Sequence, residues 1–291
     1  MKRTTGEKAF NIFNIIFLLL FACTTLYPLL YTLSISLSSA AEAATGGFHF
    51  YPKHVTFTAY SMVFKNQSLP IAYLNTIFRT VVGTILGLIV TCLYGYALSR
   101  PETPNKKFYT VLLVFTMLFS GGKIPAYLAL KQYHLLDSIW VYVLPMLIIP
   151  YNVIVARSFF MTIPGSLNES AKIDGAGEFY IFFKIIAPLS KPIIMTLALF
   201  MAVAHWNSWY DALMYITDNN KIVVQLLLQR IIQESDVSLI TQGLVNPDAA
   251  QFTSETVKSA TVIVAILPIL MFYPFIQKYF TKGIMLGAVK G

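Results

Sequence analysis

Apolar residues gather into six long stretches of the chain, at 12–37, 71–98, 108–130, 139–163, 185–209 and 259–277. Crossing the ~30 Å hydrocarbon core of a bilayer takes about 20 mostly apolar residues in a helix, which satisfies its own backbone groups. Each stretch is predicted to be such a helix. The third is interrupted by Gly121, Gly122 and Lys123, where a bend or an early exit from the bilayer is expected. The longer polar segments between stretches lie at 38–70, 163–184 and 210–258. Within the last of these, the apolar run 222–232 is too short to span. It is expected to form an amphipathic helix resting on the bilayer or against a partner.

Composition agrees with this pattern. Hydrophobic residues make up 56% of the chain and charged residues 12%, about half the ~25% of a soluble domain. So much apolar surface excludes a cytosolic enzyme, a disordered chain and a disulfide-stapled secreted domain. Cys23 and Cys92 both sit inside apolar runs and make neither a redox framework nor a metal site. Charge then orients the helices. Counted over alternate loops, one side collects thirteen of the 21 basic residues with five acids, and the other carries eight of each sign. Basic loops stay in the cytoplasm, so both termini are placed inside. The expected fold is an all-α polytopic membrane protein with six transmembrane helices. Its parts are a cytoplasmic N-terminus at 1–11, a membrane domain at 12–277 and a cytoplasmic tail at 278–291. Loop 163–184 is cytoplasmic, and 38–70 and 210–258 are extracytoplasmic.

The N-terminus imitates a signal peptide, with Lys2 and Arg3 ahead of an apolar run that ends in Leu20-Phe21-Ala22-Cys23. The run continues through Leu26, Leu29, Leu30 and Leu33, past any such cleavage box. A retained first helix is therefore expected. Catalytic patterns do not occur. The sequence has no His-Glu-x-x-His and no Gly-x-Ser-Gly, and Met117 and Ile124 spoil a phosphate loop around Lys123. Gly175-Ala176-Gly177 lacks the third glycine of a dinucleotide fingerprint. His134 and His205 read as polar boundary residues, since metal-ligand spacing is missing. No enzymatic activity is expected, and no cofactor on this chain.

The cytoplasmic loop carries the most specific pattern. Ser166 and Glu169 have capping-box spacing, so a short helix should begin at Ser166. Ser170 and Ala171 keep one face slim, and Gly175 follows as a helix stop. Such a helix suits insertion into a partner's groove and equally suits a simple interfacial connector. Glu169-Ser170-Ala171, three residues, Gly175, nine residues, then Ile185-Ile186-Ala187-Pro188 resembles the EAA signature of bacterial ABC-importer permeases. Glu169, Ala171, Gly175, Ile185 and Pro188 match it, while Ser170 and Ala187 depart from it. The likeness extends through 163–176, through Trp206-Asn207-Ser208-Trp209-Tyr210-Asp211, and through the tail from Tyr279 to Gly291. There it is similar to the carbohydrate-uptake branch, as the shorter six-span partner of a maltose-type pair. Ser120-Gly121-Gly122-Lys123-Ile124-Pro125 is similar to members associated with complex oligosaccharides.

The resemblance implies a type I ABC importer permease fold in a bacterial cell membrane and a second, homologous permease as heterodimer partner. It further implies two cytoplasmic ATPase subunits that hold ATP and Mg, an extracytoplasmic solute-binding protein, and a sugar or oligosaccharide substrate. Contact with the ATPase is expected at Ser166, Leu167, Glu169, Ser170, Ala171, Asp174 and Gly175, with motion by alternating access. For the substrate path, Trp206, Trp209 and Tyr210 offer flat faces for sugar C–H groups, and Asn207 and Asp211 offer hydrogen bonds. An aromatic belt would explain the rings without the polar pair. Arg79 is the most intramembrane charge, placed either to snorkel outward or to face the path. Gly83 and Gly87 read as a packing face. The alternatives are an ion-coupled carrier, which would place acids inside its helices, and a membrane assembly protein without substrate.

Overall fold

The computed structural model describes residues 4–45, 47, 50–243 and 253–288. Helices account for the ordered structure, and no strand occurs among the described residues. In chain order they are α1 (Thr5–Ser36), α2 (Ala40–Ala43), α3 (Thr58–Phe64), α4 (Leu69–Ser99), α5 (Lys106–Leu118), α6 (Lys123–Gln132) and α7 (Pro150–Phe160). They continue with α8 (Ser166–Ile173), α9 (Glu178–Ile181), α10 (Ala187–Leu189), α11 (Lys191–Asn207), α12 (Tyr210–Tyr215), α13 (Val224–Gly243) and α14 (Ser254–Ala288). Two 3-10 turns precede α7, at Ile139–Tyr142 and Leu144–Met146, and a π turn at Phe182–Ile186 joins α9 to α10.

Three of the described helices are long and apolar enough to cross a bilayer, and the number rises to six if each of three bent pairs is one span. The bends explain why the sequence stretches and the helices differ in length. The third stretch divides into α5 and α6, which meet at 118°. With 13 residues, α5 is only about 20 Å long. In the fourth stretch the 3-10 turns meet α7 at 46°, and in the fifth the segment 178–189 meets α11 at 87°. Pro188 and Pro192 flank that last break at Ser190, where a missing amide and a rigid ring prevent a continuous helix.

Contacts divide the chain into two units, residues 1–67 with 228–268 and residues 68–227 with 269–291. In the first, α1 opens with a capping box at Thr4. The Thr4 amide donates to Glu7 Oε2 at 2.8 Å and the Glu7 amide donates to Thr4 Oγ1 at 3.3 Å. The helix continues through Cys23 to Ser36, and no residue from Asn11 to Leu33 is buried. Further along, Tyr31 donates a hydrogen bond to Glu255 Oε1 at 2.8 Å, and the loop after α2 is held by Lys53 and His54 amides on the buried Glu42 carboxylate.

The second unit is organised around α4. Asn75, Arg79, Gly83, Gly87, Thr91 and Gly95 recur every four residues and are all buried, so one stripe of α4 faces its neighbours α11 and α7. The glycines let those helices approach. A Cβ at Gly83 would lie 2.5 Å from His205 Nε2, and one at Gly95 would lie 2.9 Å from the Ala156 Cβ. The packing face expected at Gly83 and Gly87 therefore extends from Asn75 to Gly95, about five and a half turns of the helix. His205 fills the slot at Gly83 and is 1% exposed, an interior residue where a boundary position was expected. The run 222–232 is another correction. Ile222, Val223, Val224, Leu226, Leu227 and Leu228 are buried, and the Val224 amide donates to Thr76 Oγ1 at 2.8 Å. Six of its apolar residues are thus covered by protein, while Ile231 and Ile232 stay partly exposed.

Candidate functional site

At one end of α4 lies the short helix α8. It begins at Ser166 as expected, but the capping box does not form: Gly165 serves as N-cap with helical φ and ψ, and no side chain caps the helix. Ser166 is then the first helical residue and its hydroxyl makes no capping bond. The stop at Gly175 is formed as expected. Gly175 has φ +81°, its amide donates to Lys172 O at 3.0 Å, and the Ala176 amide donates to Ala171 O at 2.9 Å, which together make a Schellman closure.

Burial sorts the residues of α8. Ser166, Leu167, Glu169, Ser170, Asp174 and Gly175 are exposed. Ala171 is buried in a core with Tyr96, Phe160, Ile181 and Phe182, so its small side chain sets the helix close to its own protein and does not face outward. Asn168 is 2% exposed and was absent from the expected set. The Tyr96 hydroxyl of α4 lies 3.1 Å from Asn168 Oδ1 and 2.9 Å from Glu178 Oε2, and its single proton serves one acceptor at a time. Lys172 Nζ pairs with Glu178 Oε1 at 2.7 Å. Tyr96, Asn168, Lys172 and Glu178 thus fasten α8 to α4 and α9. Tyr96→Phe should leave the buried Asn168 amide short of a partner and cost about 1–3 kcal/mol. A lowered denaturant midpoint of the purified protein checks this, and an unchanged midpoint refutes it.

The outward face ends in Ile173, which is 86% exposed. Phe179 and Tyr180 follow at 71% and 59%. Nothing in the sequence pattern set Ile173 apart from the other apolar residues nearby; exposure alone identifies it.

At the other end of α4 a buried polar cluster surrounds Arg79, which is fully buried. Its guanidinium holds Asp211 with both terminal nitrogens, Nη1 reaching Oδ1 at 3.2 Å, and Nη1 also donates to Ser208 O at 3.0 Å. The Tyr142 ring stacks beneath it, 4.6 Å from its centre. Ser208 Oγ and the Ala212 amide donate to the same Asp211 oxygen. Arg79 therefore does not snorkel. Asp211, expected to meet sugar hydroxyls, spends its carboxylate on Arg79 and on the start of α12. Neighbouring side chains tie down the chain beyond α12. Asn75 Nδ2 donates to Asn220 O and Ile222 O at 2.8 and 2.9 Å, and Tyr142 donates to Lys221 O at 2.8 Å. Asp137 accepts from the Thr217 and Asp218 amides. Those amides, the Asp218 one foremost, hold its carboxyl below the ordinary value. Its contribution is present at neutral pH and is lost as pH falls through the lowered value.

Around this anchor the aromatic residues divide. Trp206 is buried with its ring 6.4 Å from Tyr73, and Asn207 is exposed but donates to Val203 O. Trp209 and Tyr210 stay open, at 37% and 38% exposure, with rings 5.9 Å apart and nearly perpendicular. Lys123 Nζ, from the start of α6, lies 4.6 Å from the Tyr210 ring centre. Among the described residues no group of three or more His, Cys, Asp or Glu side chains could hold a metal ion.

The membrane-length helix α4, packed by α11 and α7, carries an exposed short helix at one end and an open aromatic pair at the other, an arrangement that fits a membrane transport subunit. The chain belongs to the family of binding-protein-dependent transport system inner membrane components, whose model matches residues 9–285. It is 40% identical over 291 residues to the LplC protein of Bacillus subtilis, covering 100% of this chain and 98% of that one. It is also 40% identical over 280 residues to the polygalacturonan/rhamnogalacturonan transport system permease protein YtcP of the same organism, covering 94% and 96%. A solved chain of a bacterial ABC transporter involved in the import of the acidic polysaccharide alginate superposes with TM-score 0.84 and 31% identity, over 96% of this chain and 99% of that chain. The protein is an inner-membrane permease subunit, and neither the ion-coupled carrier nor the assembly protein is favoured.

Proposed function

We propose that this chain is half of the translocation path of an ATP-driven oligosaccharide importer. A second permease forms the other half, two cytoplasmic ATPases bind and hydrolyse ATP with Mg, and a solute-binding protein delivers the sugar. The bent pairs count as single spans in this reading. That gives six crossings, with both termini and loop 163–184 inside, and with 38–70 and 210–258 outside. The observation that carries the proposal is α8, a short helix held by Tyr96 and Ala171 on one side and bare on the other. Closing of the ATPases pushes Glu169, Leu167 and their exposed neighbours, and α8 passes the push to α4, whose far end holds the Trp209 and Tyr210 segment through Arg79. The acidic glycans named for two of the similar proteins support a carbohydrate substrate.

Uptake of labelled oligosaccharides by the complete complex in proteoliposomes tests this. ATP-dependent accumulation that requires the ATPases and the binding protein is expected; ATP-independent accumulation would sink the proposal. A more local test uses Gly175. A Cβ there meets open space, so a substitution is strained through φ alone, by about 1–2 kcal/mol. Gly175→Val should therefore lower uptake about tenfold while ATP hydrolysis continues, and Gly175→Asn, which tolerates that conformation, should retain most of it. Equal uptake by both variants and the unmodified protein would remove Gly175 from the coupling.

A further inference from the structure

The break between α5 and α6 puts a basic side chain beside the open aromatic pair. Lys123 lies over Tyr210, and among the described residues no carboxylate pairs with it. Asp211, next to Tyr210 in the chain, is already engaged by Arg79, Ser208 and the Ala212 amide. One cation here is neutralised inside the protein, and the other rests on a ring at the surface. Approach to it is open, because Gly121 and Gly122 carry no side chains and a Cβ at Gly122, where φ is +88°, would meet nothing within 4 Å.

We infer that Lys123, Trp209 and Tyr210 form a subsite for an acidic sugar unit, with the uronate carboxylate on Lys123 and the pyranose against the rings. This inference rests on the permease reading above and adds a substrate class to it. A cation exposed on an aromatic face and an exposed ion pair are held about equally and weakly. The ammonium can therefore leave Tyr210 for a carboxylate and return without a large barrier. Passage demands that balance, since a site on a path must bind weakly enough to release.

The test uses the complete complex in proteoliposomes and two probes of equal length, oligogalacturonate and its fully methyl-esterified form. Each is supplied at concentrations that saturate the binding protein, as fixed by separate titration. Lys123→Gln should lower uptake of the acid about fivefold and leave the ester unchanged, while Lys123→Arg keeps most of the acid uptake. Equal losses for acid and ester would overturn the subsite, because a contact of Lys123 with lipid or with the binding protein would act on both. No loss for either would overturn it as well. If the unmodified complex carries a neutral oligosaccharide but neither probe, the subsite fails and the permease reading stands; if it carries no carbohydrate at all, both fail.

Discussion

Arg79→Ala is expected to destabilise the protein by about 3–5 kcal/mol, the cost of leaving one member of a buried pair alone. Arg79 has no exposed side-chain surface and Asp211 retains 17%, so little water reaches either charge. The substitution also removes the donor to Ser208 O and the cation above Tyr142. Asp211→Ala should cost a similar amount, because it strands the fully buried guanidinium. Arg79→Leu combined with Asp211→Leu should lie closer to the unmodified protein than either alanine variant, since two apolar side chains strand no charge. Denaturant midpoints of the detergent-solubilised protein give the coupling between the two positions. If both alanine variants fall within about 0.5 kcal/mol of the unmodified protein, as ordinary surface changes do, the pair is not the anchor of the Trp209 and Tyr210 segment.

Ile173→Asp should weaken capture of the ATPase subunits at least about 30-fold, the loss that corresponds to a contact worth 2 kcal/mol. At 86% exposure Ile173 contributes almost nothing to the permease's own core, so the variant should fold and pair with its partner permease normally. If α8 docks on the ATPases as proposed above, a charge placed there would enter that contact without a partner. Co-purification at graded ATPase concentrations measures the change. Unaltered capture would place the contact elsewhere on α8 or away from it.

These two sites were legible to different degrees. The apolar stretches located the membrane helices because a span needs length and apolarity, both of which are local properties. Charge predicts an orientation from equally local information. The EAA-like spacing found α8 and its Gly175 stop, since a left-handed residue after a short helix is a local demand. Capping was misplaced by one residue because Ser166 and Glu169 have the right spacing, yet Gly165 already adopts helical angles. Among the substrate-path residues, Trp209 and Tyr210 are open. Asp211 has a partner 132 residues away in the chain, and no local pattern announces such a partner. Lys123 was read as an interruption of the third stretch and as part of Ser120 to Pro125; its neighbour Tyr210 came from the fold.

By itself the sequence determined that this chain lives in a bilayer, that it is built from helices and that one short helix between spans carries a family signature. Each of these follows from composition, run length or spacing within about thirty residues. The tertiary structure alone decided which charged residue is neutralised and which is free, which face of α8 is bare, and that the first part of run 222–232 is covered by protein. Those outcomes depend on which distant side chains share a space, and in this protein the buried stripe of α4, repeating every four residues, brings several of them together.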